Sequence, residues 1–416
     1  MGQDARVMPI GPRAGNRGPR PAWAEAVARR MYGGTEHDHV QLPRPLSRVR
    51  IPMTLALTLV ALAAGAVGAL VAVRGGDAGW RTVGLGLAAA AAVGALAVVP
   101  LIAGQMRFFG IVHLAYLGAT IAVPMVGAAV AFRSLAGPLP APWALAGLAL
   151  LLPGPVGWYA THVEPYRLTV DRQAVALDPA RAGDDPVRIG VLSDLQTNHV
   201  GPHEHAAVDR LLAEEPDLIL VPGDLFHGTR AQFADQEDAL RDLLARLHAP
   251  HGVYFVRGDV DHHDFVERAL DGTGIVVLDE EIVDVTVGDR RLRVGGNRLA
   301  YGAPEAVALR RDLAGGDEDG TVRILVAHRP DAVLDLDPDA RIDLTVAGHT
   351  HGGQVVVPGF GPLITMSDVP RAVARGGLHE IRGNAIYVSN GVGMERAQAP
   401  QVRLFSRPSV GLLELG

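Results

Sequence analysis

Hydrophobic residues are unevenly distributed along this chain of 416 residues. Four long apolar runs occupy residues 51–73, 82–104, 108–132 and 142–160. About 20 apolar residues in a helix cross the roughly 30 Å of hydrocarbon in a bilayer. These runs have no polar face, and charged residues nearly vanish between residues 51 and 160, which argues against a buried helical domain. The pattern therefore predicts four transmembrane helices, the last of which is interrupted by Pro153 and Pro155.

After about residue 166, short apolar strands alternate with amphipathic helical segments. The pattern predicts strands at 187–192, 218–221, 252–256, 322–326 and 342–346, with further strands in 275–294 and at 385–390, 401–405 and 410–415. Residues 166–177 alternate as a strand pair does, and helices are predicted at 204–214 and 231–247. Short strands that are buried on both faces and separated by helices indicate an α/β domain, in which we expect sheets flanked by helices.

These patterns divide the chain into three parts. Residues 1–50 are rich in Gly, Pro and Arg and are predicted to be a disordered arm, residues 51–160 a transmembrane region and residues 161–416 the α/β domain. The arm carries nine arginines: Arg6, Arg13, Arg17, Arg20, Arg29, Arg30, Arg44, Arg48 and Arg50. Positive charge favours the cytoplasmic side, so four crossings would return the α/β domain to the cytoplasm. We expect a multi-pass protein of the inner or plasma membrane with its domain in the cytoplasm. If the fourth helix fails to cross, the domain lies on the opposite, outer side of the membrane.

Composition excludes some classes of function. The formal net charge of −7 argues against a general nucleic-acid binder, because such proteins need a basic surface. Cysteine is absent, so neither a disulfide framework nor a thiolate metal site is possible.

Residues able to bind a metal ion follow five of the predicted strands. They are Asp194, Gln196, Asp224, Asp259, His328, His349 and His351. A single Asp after a strand is more often a turn former than a ligand. Because the carboxyl ends of neighbouring strands meet at one edge of an α/β sheet, however, five such strand ends favour a site for two divalent cations.

The order of these residues resembles the calcineurin-like metallophosphoesterases. The motifs of that family run D-x-H, G-D-x-x-D, G-N-H-D/E, a lone His and G-H-x-H, and the chain has "SDLQ", "GDLFH", "GDVD", "AHRP" and "GHTHGGQ" followed by "VPGFGP". The resemblance covers about residues 187–415, and the segment 388–415 is similar to bacterial members that are often attached to membranes. It implies a four-layer α/β/β/α sandwich, here preceded by an all-α transmembrane region.

The same resemblance implies roles for individual residues. Asp224 would bridge two metal ions, with Asp194, Gln196 and His351 completing one site and Asp259, His328 and His349 the other. Asp224 and His349 are the expected catalytic residues.

Four positions depart from the family motifs. Gln196 replaces a His, His227 an Asp, Asp259 an Asn and Val260 the His that contacts the transferring phosphoryl group. Oxygen ligands at 196 and 259 favour Mn²⁺ or Mg²⁺ over Zn²⁺, and we expect two divalent ions, with Mn²⁺ preferred and Fe²⁺ or Zn²⁺ as alternatives. The candidates to replace the missing imidazole are His199, His227, His262 and His263. Arg257 and Arg329 are candidates to bind phosphate.

The favoured function is a membrane-anchored phosphoesterase that hydrolyses a phosphoester or diphosphate bond with a metal-activated water. Its expected partners are the lipid bilayer and a phosphorylated small-molecule or lipid-linked substrate, with no nucleic acid. The alternative is a degraded phosphoesterase domain that binds a metal or a phosphorylated ligand as a sensor, which Val260 favours. A transporter with an accessory domain is disfavoured by the scarcity of charge in the apolar runs.

Overall fold

The computed structural model describes residues 39–40, 51–75, 78–103, 106–137, 139–315, 320–338 and 340–416. The predicted disordered arm lies outside the described residues, except for His39–Val40. These two residues pair antiparallel with Ile51–Pro52.

Four apolar helices follow. They extend over Met53–Arg74, Gly79–Ala103, Phe108–Leu135 and Pro142–Tyr166, and by length and composition each could cross a membrane. Close packing of the first two helices requires glycine, because a Cβ atom on Gly68 would lie 2.6 Å from the carbonyl oxygen of Gly86. Arg133 is buried at the end of the third helix, where its Nη1 donates to the Ala72 carbonyl, in the last turn of the first helix, at 3.1 Å.

One end of the helix bundle contacts the α/β domain. Buried side chains from the first three helices pack together there with Met106, which lies between the second and third helices; they are Met53, Leu57, Leu101 and Leu114. The N–H of Arg107 donates to Gln398 Oε1 at 2.7 Å, and His113 Nδ1 lies 3.2 Å from the Gln398 carbonyl oxygen. The imidazole of His113 was not foreseen within the apolar runs, and its contact with Gln398 shows that it binds to the domain.

The domain contains two six-stranded sheets. The first has the spatial order Thr169–Val175, Ser409–Leu415, Val187–Val191, Leu218–Val221, Val253–Phe255 and Val276–Val277. The strands from Val187–Val191 to Val276–Val277 are parallel, so their carboxyl ends share one edge. The second sheet has the order Gly377–Ile381, Asn384–Val388, Leu344–Ala347, Val322–Ala327, Arg290–Asn297 and Ile282–Val287. Its four inner strands are also parallel.

The two sheets pack face to face, with helices on both outer faces. The layer between the sheets contains Ile189 and Leu220 from the first sheet and Ile324 and Val346 from the second. Three helices cover the first sheet, Pro202–Leu212, Arg230–Ala245 and His263–Leu270. Pro304–Ala314 and the 3₁₀ turn Pro330–Asp335 pack on the second sheet. The predicted α/β/β/α sandwich, preceded by an all-α region, is confirmed.

Two predicted strands are wrong. Residues 166–177 contain the single strand Thr169–Val175 and no strand pair. Residues 401–405 form only an isolated bridge between Val355 and Leu404. The cause is Arg403, whose buried guanidinium donates to several loop carbonyls, including that of Asn390 at 2.8 Å, and so holds this segment as a loop.

Candidate metal centre

The carboxyl ends of the parallel strands bring the predicted ligands together. Two overlapping groups of ligand atoms form, Asp194 with Asp224 and His328, and Asp259 with His328 and His349, each within 4.8 Å. His328 is therefore shared by the two groups. Its Nε2 lies 3.4 Å from Asp224 Oδ2 and 3.5 Å from Asp259 Oδ2.

His351 borders the first group, and His349 contacts both groups. His351 Nε2 lies 3.7 Å from Asp194 Oδ1, and His349 Nδ1 lies 3.0 Å from Asp259 Oδ2. The backbone N–H of His349 donates to Asp194 Oδ1 at 2.9 Å, which connects the two sheets across the site.

Most of these residues have an uncommon backbone conformation. Their φ angles are 48° at Asp194, 36° at Gln196, 59° at Asp224, 73° at His349 and 50° at His351. Non-glycine residues rarely adopt this left-handed region, which costs of order 1–3 kcal/mol each and is concentrated at functional sites. The backbone strain marks the same turns that carry the ligands.

Two glycines allow the strand ends to approach each other. A Cβ atom on Gly258 would lie 2.1 Å from Asp224 Oδ1, and one on Gly348 would lie 2.4 Å from Asp194 Oδ2. Any larger residue would displace a carboxylate, so glycine is required before both Asp259 and His349.

Three buried ligand atoms lack a hydrogen-bond partner, and they test whether the site fits a metal ion. They are Gln196 Oε1, His328 Nε2 and His351 Nε2. Buried polar atoms are almost always satisfied, and these three lie beside three carboxylates. An oxygen and imidazole nitrogens next to carboxylates are a donor set suited to divalent cations. The residues present therefore fit metal ions.

The electrostatics also favour positive charge in this site. Burial raises the pKa of Asp224 well above its usual range, because little water remains to solvate the carboxylate. Burial alone would lower the pKa of His328, but the neighbouring Asp224 and Asp259 carboxylates outweigh it and raise this pKa to about 10. Burial lowers the pKa of His351 to about 3, so this imidazole is neutral, as a metal ligand must be.

Comparison with known proteins agrees with this geometry. Residues 187–353 match the family model of the calcineurin-like phosphoesterases. The resemblance to this family that the sequence motifs predicted is confirmed over these residues. The chain is similar to the metallophosphoesterase YkuE of Bacillus subtilis, with 29% identity over 65% of this chain and 93% of that protein. It is also similar to the phosphodiesterase YaeI of Escherichia coli, with 28% identity over 62% of this chain and 92% of that protein.

Among solved structures, the NAD nucleotidase of Haemophilus influenzae matches 52% of this chain and 46% of its own at 15% identity. Its TM-score is 0.35, which is too low for the two sites to be compared.

Gln196, where the phosphoesterase motif has a His, is held by two residues. Its Nε2 lies 3.2 Å from His227 Nδ1 and 3.4 Å from Glu395 Oε2. Both contacts are made by the amide nitrogen, and the amide oxygen Oε1 is left without a hydrogen-bond partner among the described residues. Burial lowers the pKa of His227 to about 3 and raises that of Glu395 to about 7. Glu395 was missed in the sequence, where it is one acid in a segment without periodic pattern.

Asp259, where the motif has an Asn, is paired with Arg329. Nε of Arg329 donates to Asp259 Oδ2 at 2.9 Å, and Nη2 donates to Oδ1. Burial would raise the pKa of Asp259, but the neighbouring imidazoles of His328 and His349 and the charge of Arg329 outweigh it and lower this pKa well below its usual range. Arg329 therefore binds the carboxylate that the motif lacks. This pairing uses Nε and Nη2 of the guanidinium that was a candidate to bind phosphate.

Val260 occupies the position at which the family motif has a His, so no imidazole is present there. Its side chain is buried, and its N–H donates to Asp224 Oδ1 at 2.9 Å. Among the four candidate replacements, His199, His262 and His263 are exposed, and only His227 is buried beside a predicted ligand. Arg257, the other candidate for binding phosphate, contacts His263, with Nη1 2.9 Å from Nε2.

Proposed function

We propose that this chain is a membrane-anchored, metal-dependent phosphoesterase that hydrolyses a phosphoester or diphosphate bond. One observation carries the proposal. Gln196, His328 and His351 each have a buried side-chain atom without a hydrogen-bond partner, and these atoms lie beside the carboxylates of Asp194, Asp224 and Asp259.

Seven residues would hold two divalent cations. Asp194, Gln196 and His351 bind one, and Asp259, His328 and His349 bind the other, with Asp224 bridging both. Bound there, the ions supply a water of lowered pKa and neutralise charge on the phosphoryl oxygens. The oxygen ligand of Gln196, in place of an imidazole nitrogen, and the added negative charge of Asp259 favour Mn²⁺ over Zn²⁺.

The chain's own residues orient and neutralise the site. Asp224 is fixed by the Val260 N–H, and His349 is the imidazole closest to Asp259, at 3.0 Å. Val260 cannot donate a proton to a leaving oxygen. We therefore expect diphosphate-linked or aryl substrates, whose leaving groups need little protonation, to be preferred over simple alkyl monoesters.

The four apolar helices support a multi-pass membrane anchor. We propose that the anchor lies in the inner or plasma membrane and, from the arginine-rich arm, that the domain lies in the cytoplasm. Such an anchor brings the site close to lipid. The substrate class that fits is a phosphorylated small molecule or a lipid-linked phosphate. The similarity to a protein named as a phosphodiesterase favours diesters.

The test is hydrolysis by the purified full-length protein with Mn²⁺, over phosphomonoesters, phosphodiesters and diphosphates, compared with Asp224→Asn. The variant loses one charge from a residue proposed to contact both ions, so it should lose most bound metal and at least about 100-fold in rate. The control is Asp264→Asn, at a half-exposed side chain that pairs with Arg230 and is not a predicted ligand, and it should behave as wild type. Full metal content in Asp224→Asn would refute the bridging role.

The second candidate is a sensor that binds a metal or a phosphorylated ligand without turnover. The observation that favours it is the buried Val260, where the family has a reactive imidazole. Stoichiometric Mn²⁺ binding with no hydrolysis of any substrate in the panel would establish this candidate over the enzyme.

A further inference from the structure

A cavity of about 830 Å³ lies outside the metal centre, near the end of the last apolar helix. Its lining includes Thr169, three residues after Pro142–Tyr166 ends. Three residues of extended chain span at most about 10 Å. Ser406, another lining residue, donates its N–H to Glu164 Oε1 at 2.9 Å. The cavity is therefore connected directly to the end of the helix that we propose to cross the membrane.

The cavity is positively charged. Arg371, Arg375 and Arg407 line it, and Asp171 is the one acidic residue among the lining residues. In the part of the chain that the structure describes, the side chains of Arg375 and Arg407 form no hydrogen bond or ion pair. Asp171 already accepts a hydrogen bond from Gln173 Nε2 at 2.7 Å. Two cations are thus free for an anionic ligand.

Two exposed aromatic rings also line this cavity. Phe360 is 59% exposed and Phe405 is 57% exposed. The guanidinium of Arg371 lies 4.6 Å from the centre of the Phe360 ring, so the apolar and cationic parts of the lining are adjacent. Trp158 and Tyr166, at the end of the last apolar helix, are exposed to a similar degree, as expected of aromatic residues at a membrane interface.

We propose that this cavity binds the phosphate headgroup of an anionic membrane lipid. Arg375 and Arg407 contact the phosphate, Arg371 supports them, and Phe360 and Phe405 contact the apolar part of the lipid. Arginine suits this role because its planar guanidinium can bind a phosphate through two hydrogen bonds. The volume is in the range of small-ligand sites, about 300–1,000 Å³.

A lipid would contact more of the residues that line the cavity than a soluble phosphate would. A soluble phosphate would use the arginines but would leave two large aromatic side chains exposed to water. A lipid headgroup at the bilayer surface uses both, and polar headgroups extend about 5–8 Å beyond the hydrocarbon, which the short connection from Tyr166 to Thr169 matches.

The proposed lipid site is separate from the metal centre. None of the seven predicted metal ligands lines the cavity. The closest link on the described chain is Ser406, whose Oγ donates to the carbonyl of His351 at 3.0 Å. The inference depends on the proposed membrane anchoring and does not depend on hydrolysis.

The experiment measures lipid binding to the full-length protein in detergent by native mass spectrometry, with phosphatidylglycerol titrated against phosphatidylcholine. The test variant is Arg375→Gln/Arg407→Gln. Each arginine near a headgroup contributes about fivefold in affinity, so the double variant should bind phosphatidylglycerol about 25-fold more weakly. The matched control, Arg230→Gln/Arg246→Gln, removes two exposed charges from another face and should bind as wild type.

Three results would overturn the proposal. The first is equal binding of phosphatidylcholine and phosphatidylglycerol by the wild type, and the second is an unchanged affinity in the double variant. The third is complete displacement of the lipid by inorganic phosphate, with glycerol 1-phosphate bound as tightly as phosphatidylglycerol. That third pattern would assign the cavity to a soluble phosphate.

Hydrolysis of bis(4-nitrophenyl) phosphate with Mn²⁺ is measured on the same wild-type preparation. Lipid binding without hydrolysis would contradict the proposed phosphoesterase function and leave the proposed lipid site intact. Hydrolysis without selective lipid binding would contradict only the lipid site.

Discussion

At the scale of single residues, two departures from the family motif have a partner elsewhere in the chain. Gln196 is held by Glu395, 199 residues later, and Asp259 is paired with Arg329, 70 residues later. A neutral amide in place of an imidazole needs a fixed orientation, and an added carboxylate needs a compensating charge. The departures are therefore accommodated by the site, which supports the proposal that metal binding is retained.

The orientation of Gln196 gives a first prediction. Glu395→Leu removes the acceptor for Gln196 Nε2, so the amide oxygen is no longer directed to the metal and Mn²⁺ affinity should fall about 10–100-fold. Glu395→Gln keeps an oxygen acceptor and should lose much less. Isothermal titration of the metal-free protein with Mn²⁺ measures both, with the exposed Glu267→Leu as control. Equal losses in the Leu and Gln variants would show that Glu395 does not act by orienting the amide.

A second prediction concerns Val260. General acid catalysis by a positioned side chain contributes about 10²–10⁴-fold, and it matters most for poor leaving groups. Val260→His should therefore raise the rate on alkyl phosphate esters more than on diphosphates. Rates of both classes, measured with Mn²⁺ at saturating substrate, check this. An equal increase on both would mean that the missing imidazole does not set the leaving-group preference.

At the scale of elements, the turns after neighbouring strands are bound to one another. Asp261, in the turn after Val253–Phe255, accepts the N–H groups of Asp224 at 2.7 Å, Leu225 at 2.8 Å and Gly258 at 2.8 Å. These contacts connect the turn after Leu218–Val221 with the turn after the next strand. The position of Asp224 is therefore set by an acid that is not itself a predicted ligand.

This role predicts that Asp261→Ala destabilises the protein. The change leaves three backbone donors without their acceptor, and one unsatisfied buried group costs about 1–3 kcal/mol, so the free energy of unfolding should fall by about 3 kcal/mol. Thermal unfolding in detergent measures the loss, together with Mn²⁺ binding, which should weaken. Asp238→Ala, at a side chain that is 93% exposed, is the control and should change neither. A variant as stable as wild type would show that the contacts of Asp261 are dispensable.

At the scale of the whole molecule, the helix bundle and the domain are joined at one end of the bundle. Met53 at the start of the first helix packs with Met106 and Leu114, and Arg107 binds Gln398 of the domain. The last helix reaches the domain through Glu164, which accepts the N–H of Ser406. The start of the first helix and the domain therefore lie at the same end of the bundle, as an even number of crossings requires.

This arrangement predicts the membrane topology. The arginine-rich arm that precedes the first helix should remain in the cytoplasm, and the domain should lie on the same side. A green fluorescent protein fused after Gly416 should fluoresce, and an alkaline phosphatase fused there should be inactive. The reverse pattern would place the domain outside and would contradict the orientation predicted from the arginine-rich arm.

The sequence alone was sufficient for the features that burial imposes locally. Uncharged runs predicted the bounds of the four apolar helices within a few residues, and strands buried on both faces predicted the sandwich. Both predictions succeed because the length and the periodicity of an apolar segment depend on which of its faces are buried. The convergence of the candidate ligand residues could also be predicted, since parallel strands end at one edge.

Only the tertiary structure determined the contacts between distant segments. Glu395 beside Gln196, Arg329 on Asp259 and the buried Arg403, which holds residues 401–405 as a loop, have no periodic signal in the sequence. Each depends on where two remote loops meet after the sheets have packed. The physical reason is that burial of a helix or strand face requires apolar residues at regular intervals, which can be read along the chain. A hydrogen bond between two remote side chains involves one residue in each segment, leaves no periodic pattern and forms only in the folded chain.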